Sequence, residues 1–246
     1  RDGACGVCKS KVLAGEVDHG RYSESTLTVA EREAGMALLC CAHPRSDLIV
    51  EVRQVSRAGD IPVKKLPCRV QKRTLAADDV IILELKLPAS EKFQFIAGQY
   101  IDILLADGKR RSFSIANAPT SADHLELHIR RVPGGQFTTH VFEKLKEKDI
   151  LRFEGPLGGF RLHDSPKPAI LLAGGTGFAP IKSIVENAIA TGQTRPVTLY
   201  WGSRDLAGLY QLDVARSWEA RLPGFRCVPV LSDASPADNW SGRQGL

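Results

Sequence analysis

Four of the six cysteines stand in two close groups whose chemistry suits a metal ion or an iron–sulfur cluster. Cys5 and Cys8 are separated by two residues, and Cys40 and Cys41 are adjacent at the end of an apolar run. Such sites are commonly built from a tight turn that supplies closely spaced thiolates and a distant cysteine that closes the cage. The grouping therefore indicates a metal-type site and not a disulfide framework.

The spacing of these cysteines leaves three interpretations open. One is a zinc site made by Cys5, Cys8, one residue of the Cys40–Cys41 pair and His43. Another is a set of ordinary buried or free thiols. The third is a plant-type 2Fe–2S cluster, whose signature is Cys-x4-Cys-x2-Cys followed by a distant fourth cysteine. In this third interpretation the first ligand stands one position before Arg1, so we expect the chain to be part of a longer protein.

A second group of residues has the chemistry to bind a flavin nucleotide. The run from Arg111 to Ser114 ends a predicted hairpin strand and offers a cation, the aromatic ring of Phe113 and hydroxyl groups. Gly134 and Gly135 open a short predicted helix, so free backbone N–H groups and the Thr138 hydroxyl can face a phosphate. Each element alone also fits a plain structure: a basic edge strand with one core phenylalanine, or a Pro-Gly turn.

A third group has the chemistry to bind a dinucleotide. An apolar strand from Ala169 to Ala173 leads into a glycine turn and a helix, where a pyrophosphate can approach the backbone and the positive end of the helix dipole. The next predicted strand ends in a polar loop at the sheet edge where nucleotides bind. A purely structural turn and loop are the alternatives. The residues concerned are Gly174, Gly175, Thr176, Gly177, Pro180, Gly202, Ser203 and Arg204.

Hydrophobic periodicity divides the chain into regions that would position these groups. Residues 1–57 contain a Thr28-x-x-Glu31 capping box, which predicts a helix toward Met36, and a strand over 48–55. Residues 58–66 read as a linker. Residues 67–164 read as an antiparallel β-barrel with one helix, and residues 165–246 as an α/β doubly wound unit with βαβαβ order. The barrel strands are predicted at 68–75, 80–87, 100–105, 110–115, 124–132 and 149–154, and its helix at 137–146. The α/β unit has strands at 169–173, 197–201 and 226–231, and helices at 179–190 and 212–222.

Composition excludes several other classes of protein. The 246 residues are 43% hydrophobic and 25% charged, which is a globular mixture and not a disordered, collagen-like or disulfide-dense one. No apolar stretch approaches the ~20 residues of a membrane span, so we expect no membrane partner. The net charge of +5 comes from scattered basic residues, so we expect no nucleic-acid partner. Residues 241–246 show no closing helix or strand, so we also expect the α/β unit to be C-terminally incomplete.

The cysteine region resembles the plant-type ferredoxin module of bacterial iron–sulfur flavoprotein reductases. The resemblance is carried by Gly3-Ala4-Cys5-Gly6-Val7-Cys8-Lys9, by Gly15-Glu16-Val17 and by Leu38-Leu39-Cys40. It implies a partial β-grasp fold in which Cys5, Cys8 and Cys40 bind a 2Fe–2S cluster in the full-length parent protein. Cys41 is then an additional neighbour.

The two other regions resemble the FAD and NAD(P)H domains of the ferredoxin–NADP reductase superfamily. That superfamily has Arg-x-(Tyr/Phe)-Ser followed by Gly-Gly-x-x-(Ser/Thr), which implies that Arg111 pairs with the FAD pyrophosphate, Phe113 packs on the flavin and Ser114 approaches its redox-active edge. The resemblance also implies that Gly134, Gly135 and Thr138 hold phosphate, and that His128 and Ile129 line the cofactor.

The dinucleotide region matches the superfamily's Gly-Gly-Thr-Gly-x-Ala-Pro pattern. This match implies that the glycine turn, Pro180 and the loop from Gly202 to Arg204 bind NADH or NADPH. The superfamily's later Cys-Gly-x-Pro segment is not present, since Cys227 stands in the middle of a predicted strand.

The order of the modules implies an electron-transfer reductase that uses NADH or NADPH, FAD and a 2Fe–2S cluster. The run from Gly15 to Gly20, together with the sequence as a whole, resembles the family of CDP-6-deoxy-Δ3,4-glucoseen reductases, also called CDP-4-dehydro-6-deoxyglucose reductases. For that family the electron acceptor is a pyridoxamine-dependent sugar dehydrase in 3,6-dideoxyhexose synthesis. The reductases of ring-hydroxylating dioxygenases and multicomponent monooxygenases share the three modules, so an oxygenase component is the alternative partner.

Two further functions remain open at the level of sequence. A free-flavin reductase would use the flavin and nucleotide residues without the cysteines, whereas an iron–sulfur carrier or zinc-binding adaptor would use the cysteines alone. Thiol usage and cofactor supply lead us to expect a cytoplasmic location.

Overall fold

The computed structural model describes residues 3, 6, 8–51, 61–91, 93–120 and 123–245. The chain divides into two compact units, Arg1–Ala58 and Gly59–Leu246, which are treated separately below. Within the described residues, every helix falls short of the length and apolar content that a bilayer span needs.

The first unit is a small, mostly β module. Strand β1 is central in a three-stranded antiparallel sheet of order β3-β1-β5, and β2 pairs with β4. The elements are β1 (Lys9–Ala14), β2 (Val17–Asp18), α1 (Val29–Glu33), β3 (Met36–Leu38), β4 (His43–Pro44) and β5 (Ile49–Val50).

The capping box predicted at the start of α1 is present. The Glu31 N–H donates to Thr28 Oγ1 at 3.3 Å, and the Thr28 N–H donates to a Glu31 carboxylate oxygen at 2.9 Å. The helix is shorter than predicted because Gly35 takes a φ of +82° and Met36 already begins β3. The predicted strand over 48–55 is only Ile49–Val50 within the described residues.

The second unit begins with the predicted antiparallel barrel. Its sheet has the strand order β10-β7-β6-β11-β8-β9, and a bridge between Ile115 and Leu127 joins the two ends. The elements are β6 (Lys64–Ala77), β7 (Val80–Lys86), β8 (Tyr100–Leu104), β9 (Arg110–Ser114), β10 (His124–Arg130), α2 (Gln136–Glu143) and β11 (Ile150–Leu157). Alternating apolar residues of these strands fill the barrel core.

The first barrel strand starts earlier than the sequence indicated. Lys64 to Leu66 belong to β6 and pair with β11, with Leu66 opposite Phe153, so they are not part of a linker. Leu66 is buried in the barrel core, and this burial explains why the strand extends back to Lys64.

The rest of the second unit is the predicted α/β unit. Four parallel strands lie in the order β12-β13-β14-β15. The elements are β12 (Ala169–Gly174), α3 (Phe178–Ala190), β13 (Val197–Ser203), α4 (Leu212–Arg221), β14 (Phe225–Leu231) and β15 (Arg243–Gln244). Strand β15 is unpredicted, because its two exposed polar residues carry no hydrophobic alternation.

Helices α3 and α4 pack against one face of this parallel sheet. Phe178 of α3, Trp201 of β13 and Trp218 of α4 form the centre of the core, and the Phe178 and Trp201 rings stack at 3.9 Å between centroids. The opposite face exposes Ile170 and Leu172 of β12. The packing therefore places the loops that follow β12 and β13 together at the carboxyl edge of the sheet.

Candidate functional site

The described cysteines of the first unit come together across strands β1 and β3. The pairing of Lys9 with Leu38 brings Cys8 close to Cys40, whose N–H donates to Cys8 Sγ at 3.4 Å. Cys40 Sγ lies 3.5 Å from Cys41 Sγ. Neighbouring thiols with a backbone N–H directed at sulfur suit a 2Fe–2S cluster, whose potential depends on such hydrogen bonds. Cys5 lies outside the described residues.

Two glycines allow the backbone to pass close to this cysteine group. Gly3 has a φ of +65°, and a Cβ there would meet Tyr22 at 2.6 Å and Cys41 Sγ at 3.0 Å. Gly20 has a φ of +61°, and a Cβ there would lie 2.5 Å from the Cys41 carbonyl oxygen. Side chains at either position would push the loops away from the cysteines, so the loops fit a group that must be enclosed closely.

The alternative zinc set is only partly testable. His43 lies in β4, where it pairs in register with Asp18 of β2. Among the described residues, no three His, Cys, Asp or Glu side chains form a group that holds a metal ion. A set that includes Cys5 is outside that statement.

Arg111 presents an uncommitted cation on the barrel surface. Its guanidinium is exposed and donates to the carbonyl of Arg110 at 2.8 Å, and within the described part of the chain it pairs with no carboxylate. Arg110 is committed instead to Glu154, at 2.8 Å. An arginine without a carboxylate partner is suited to a phosphate or pyrophosphate, and the pairing of Arg111 with the FAD pyrophosphate stays a prediction.

Phe113 and Ser114 lie beside Arg111 at the end of β9. The half-buried Phe113 ring packs against Phe137, with 5.6 Å between ring centroids. Because Phe137 is in the first turn of α2, this contact brings the end of β9 next to the Gly134–Gly135 turn. Two of the predicted flavin-binding elements, about 20 residues apart in sequence, are therefore neighbours in space.

The glycine turn before α2 is open, but the Thr138 hydroxyl is already in use. Gly135 is the N-cap of α2 without a side-chain cap, and Gly134 has a φ of +72° with open space around it. Thr138 is buried, and its Oγ1 accepts the Val132 N–H at 3.1 Å and donates to the Gly135 carbonyl at 3.1 Å. In this structure the Thr138 hydroxyl holds the turn, and phosphate contacts by this hydroxyl and by the free N–H groups at the start of α2 stay predictions.

His128 and Ile129 do not line an open surface with their side chains. Ile129 is fully buried in the barrel core, and the His128 ring is enclosed by Glu126 and Tyr210. The predicted cofactor contact by these side chains is therefore not supported. A cofactor contact by the backbone of this strand stays a prediction.

The predicted dinucleotide residues meet at a cavity of ≈ 860 Å³ at the carboxyl edge of the parallel sheet. Trp201 Nε1–H donates to the Gly175 carbonyl at 3.0 Å and fixes the glycine turn against β13. Thr176, Gly177 and Pro180 are in the 3₁₀ turn and the first turn of α3 and are not among the residues that line the cavity. The predicted residues that line the cavity are Gly174, Gly175, Gly202, Ser203 and Arg204.

Arg130 is a cavity residue that the sequence reasoning missed. It comes from barrel strand β10, and its guanidinium lies where a Cβ on Gly175 would be only 2.6 Å from Nη1. Its Nε is 3.1 Å from an oxygen of Asp79, although that nitrogen makes no well-formed hydrogen bond to any described residue. The available signal was the basic pair Arg130-Arg131 between a strand and a Pro-Gly-Gly turn. The local sequence does not indicate which of these two arginines faces the cavity.

Comparison with protein families identifies all three modules. The model described as "2Fe-2S iron-sulfur cluster binding domain" matches residues 1–45. The model "Oxidoreductase FAD-binding domain" matches residues 67–162, and "Oxidoreductase NAD-binding domain" matches residues 171–246. The matches follow the barrel and the parallel sheet described above.

Individual relatives are similar over nearly the whole chain. The CDP-6-deoxy-L-threo-D-glycero-4-hexulose-3-dehydrase reductase of Yersinia pseudotuberculosis is 40% identical, over 100% of this chain and 73% of its own. Terephthalate 1,2-dioxygenase reductase component 1 of a Comamonas species is 39% identical, over 99% of this chain and 72% of its own. The crystal structure of the Amycolatopsis cytochrome P450 reductase GcoB matches with a TM-score of 0.73 and 40% identity, over 100% of this chain and 74% of that one.

Replacement of Arg111 tests the flavin site. Arg111→Ala removes the uncommitted cation, so we expect the FAD dissociation constant to rise by about tenfold, in line with the loss of one charge-assisted contact. The measurement is flavin released on dilution and gel filtration. Lys109→Ala is the matched control, because it removes an exposed cation two residues away whose ion pair, within the described part of the chain, is with Asp107. Equal FAD retention by the two variants would contradict the assignment.

Replacement of Arg130 tests the dinucleotide site from the barrel side. Arg130→Ala should raise the dissociation constant for NADH by about tenfold, because a guanidinium next to the glycine turn is lost from the cavity. Rapid-reaction flavin reduction at several NADH concentrations measures it. Arg131→Ala is the control, since Arg131 pairs with Glu143 and stacks on Phe142, neither of which lines the cavity. Unchanged NADH affinity in Arg130→Ala would count against this cavity.

The chain thus carries a cysteine loop suited to a cluster, a barrel with an uncommitted arginine beside an open helix N-terminus, and a parallel sheet with a nucleotide-sized cavity. All three modules match their family models in this order, and full-length relatives reach 40% identity. The chain belongs to the family of ferredoxin–NADP reductase-type iron–sulfur flavoprotein reductases, NAD(P)H-dependent oxidoreductases that use FAD and a 2Fe–2S cluster.

Proposed function

We propose that this reductase delivers electrons from NAD(P)H to a pyridoxamine-dependent sugar dehydrase in the synthesis of CDP-linked 3,6-dideoxyhexoses. The observation that carries the proposal is the 40% identity to the Yersinia dehydrase reductase, which extends over the entire chain. The Gly15–Gly20 run, part of the resemblance to that family, is consistent with it.

When bound, FAD and a 2Fe–2S cluster would supply the redox chemistry, namely acceptance of a hydride from NAD(P)H and its release as single electrons. The protein positions these groups and neutralises their charges. On this proposal, Arg111 pairs with the FAD pyrophosphate, Phe113 and Ser114 contact the flavin, and the N–H groups after Gly134–Gly135 hold phosphate. Hydride transfer itself requires no side-chain acid or base.

The parallel sheet supplies the binding site for the hydride donor. We place the dinucleotide pyrophosphate on the turn of Gly174 and Gly175, where a Cβ on Gly175 would collide with Arg130. Gly202, Ser203 and Arg204 then face the adenosine half from the end of β13. The helix dipole of α3 and the guanidinium of Arg130 both favour the double negative charge.

On this proposal, single electrons pass to the partner from the cysteine module. Cys8 and Cys40, already adjacent through the Cys40 N–H, act with Cys5 as cluster ligands on this proposal. The nearby glycines keep the loops close to these cysteines. Cys8 and Cys40 are both partly exposed, so a partner could approach a cluster that they held.

A second acceptor is favoured by a separate observation. Terephthalate dioxygenase reductase is 39% identical over 99% of this chain, and the reductase subunit of an Amycolatopsis aromatic O-demethylase is 42% identical over 94%. The alternative proposal is therefore an oxygenase component as the electron acceptor. The nucleotide and flavin chemistry is the same in both cases.

The cysteine ligands separate this function from that of a free-flavin reductase. In Cys40→Ser, flavin reduction by NADH should be retained within about twofold, while reduction of cytochrome c should fall by more than about tenfold, because electrons no longer reach the cluster. Cys227→Ser is the matched control, since Cys227 lies in β14, where burial raises the pKa of its thiol to about 11. Cytochrome c reduction that survives equally in both variants would indicate a free-flavin reductase.

Direct assay with candidate partners tests the acceptor. The purified protein, with its flavin and cluster, is mixed with NADH and either a pyridoxamine-dependent CDP-sugar dehydrase with its substrate or a Rieske dioxygenase component with an aromatic acid. The proposal predicts partner-dependent NADH consumption and deoxysugar product only with the dehydrase. Turnover coupled to the dioxygenase alone would replace the proposal with its alternative.

A further inference from the structure

A buried chain of polar side chains crosses the contact between the barrel and the α/β unit. His128 of β10 is 2.7 Å from the Tyr210 hydroxyl through Nδ1 and 2.7 Å from a Glu126 carboxylate oxygen through Nε2. Lys182 of helix α3 lies 3.2 Å from the same Glu126 oxygen. The His128 side chain has no exposed surface, and the Lys182 side chain is 8% exposed. The cofactor-binding roles proposed above use none of these four side chains.

The protonation states of these side chains determine which atom donates in each hydrogen bond of the chain. Burial alone would raise the pKa of Glu126, but hydrogen bonding from His128 and the charge of Lys182 outweigh it and lower that pKa to about 2. The carboxylate therefore only accepts, so His128 Nε2 carries the proton. Burial keeps the His128 pKa below its ordinary value, so the ring is neutral and Nδ1 accepts from the Tyr210 hydroxyl, whose pKa burial raises far above its usual range.

Three members of this hydrogen-bonded chain lie close in sequence to the nucleotide cavity. His128 is two residues before Arg130, which lines the cavity from the barrel. Tyr210 is two residues after Gly208, which lines it from the loop that follows β13. Lys182 is in the helix that starts directly after the glycine turn. One hydrogen-bonded chain therefore connects three of the segments that line or adjoin the cavity.

The aromatic packing of Tyr210 is separable from its hydroxyl. The ring meets Trp201 edge-on, with 5.6 Å between centroids, and contacts Phe178 in the same manner at 6.3 Å. A phenylalanine ring would preserve both contacts. Ser183 adds an independent bond between the two parts, because its hydroxyl donates to the Asn117 carbonyl at 2.7 Å. Loss of the Tyr210 hydroxyl alone should therefore leave the fold intact.

We propose that Tyr210 and His128 are positioning residues for NAD(P)H: their hydrogen bond fixes the loop that ends at Gly208 against barrel strand β10. This holds the loop side of the cavity at a set distance from Arg130 and the flavin domain. The inference rests on the proposed nucleotide site. It assigns His128 to the contact between the two parts of the reductase and not to the flavin.

The test is Tyr210→Phe in the holoprotein, studied by anaerobic rapid-reaction flavin reduction with NADH. Loss of one neutral hydrogen bond across the contact should raise the dissociation constant for NADH by roughly fivefold, and misplacement of the donor should lower the limiting reduction rate. FAD content and the midpoint of thermal unfolding are measured on the same samples. A merely structural hydroxyl would shift the unfolding midpoint and leave NADH affinity and the limiting rate unchanged.

A histidine pair on the same strand provides the matched control. His128→Gln removes the acceptor of the Tyr210 hydroxyl and should reproduce the effect of Tyr210→Phe. His124→Gln should leave flavin reduction unchanged, since the His124 ring pairs with Asp123 at the other end of β10. The double variant Tyr210→Phe/His128→Gln should be no worse than either single variant, because both break one bond.

The outcomes separate this inference from the proposed nucleotide site. If Arg130→Ala weakens NADH binding but Tyr210→Phe and His128→Gln do not, the nucleotide site stands and the positioning role is wrong. If Arg130→Ala also has no effect, the site itself is wrong. Fully additive losses in the double variant would likewise overturn the role of Tyr210 and His128 as one unit.

Discussion

The Glu126–Lys182 ion pair links a strand of the barrel to a helix of the α/β unit, and the nucleotide cavity depends on that link. Both charges are largely withdrawn from water, and His128 donates to the same carboxylate. Lys182 also lies 3.0 Å from Glu186, one turn along α3, so loss of Glu126 would not leave the lysine charge unpaired. Loss of Lys182 would leave the buried Glu126 carboxylate with the neutral His128 ring as its partner, which is costly. Strand β10 and helix α3 are thus held in one relative position. Arg130 follows Glu126 by four residues in the chain, and Gly175 precedes Lys182 by seven.

This constraint explains why the barrel supplies residues to a site that sequence motifs place in the α/β unit. The carboxyl edge of a parallel sheet offers glycine backbone, a helix N-terminus and short polar loops, which are good partners for phosphate. The fixed contact with β10 adds a guanidinium from the opposite side. On the proposed function, the donor would be held between two parts of the second unit, and the protein would contribute placement and charge while the bound groups contribute redox chemistry.

Sequence patterns predicted the parts of the site that local geometry determines. The glycine turn after β12 needs Gly175 at a positive φ, and the cysteine spacing is set by the loop that carries Cys8, so both are visible as motifs. The ends of elements were less predictable: β6 begins at Lys64 because Leu66 is buried opposite Phe153, a contact far away in sequence.

Residues defined by packing between the two parts of the second unit could not be read in this way. Tyr210 and His128 are 82 positions apart, and the sequence around neither residue predicts its contact with the other. The same limit affects single side chains, since only the structure shows that the Thr138 hydroxyl is hydrogen-bonded within its own turn. Motifs locate cofactor regions here, whereas the tertiary contact decides which side chains remain available.

Anaerobic titration of the holoprotein with NADH, followed by visible absorption and low-temperature EPR, tests the central claim most directly. The account predicts loss of the oxidised-flavin absorption together with the signal of a reduced 2Fe–2S cluster, because nucleotide, flavin and cluster belong to one electron route. Loss of the flavin absorption without a cluster signal, in protein shown by iron and sulfide analysis to carry its cluster, would contradict that route.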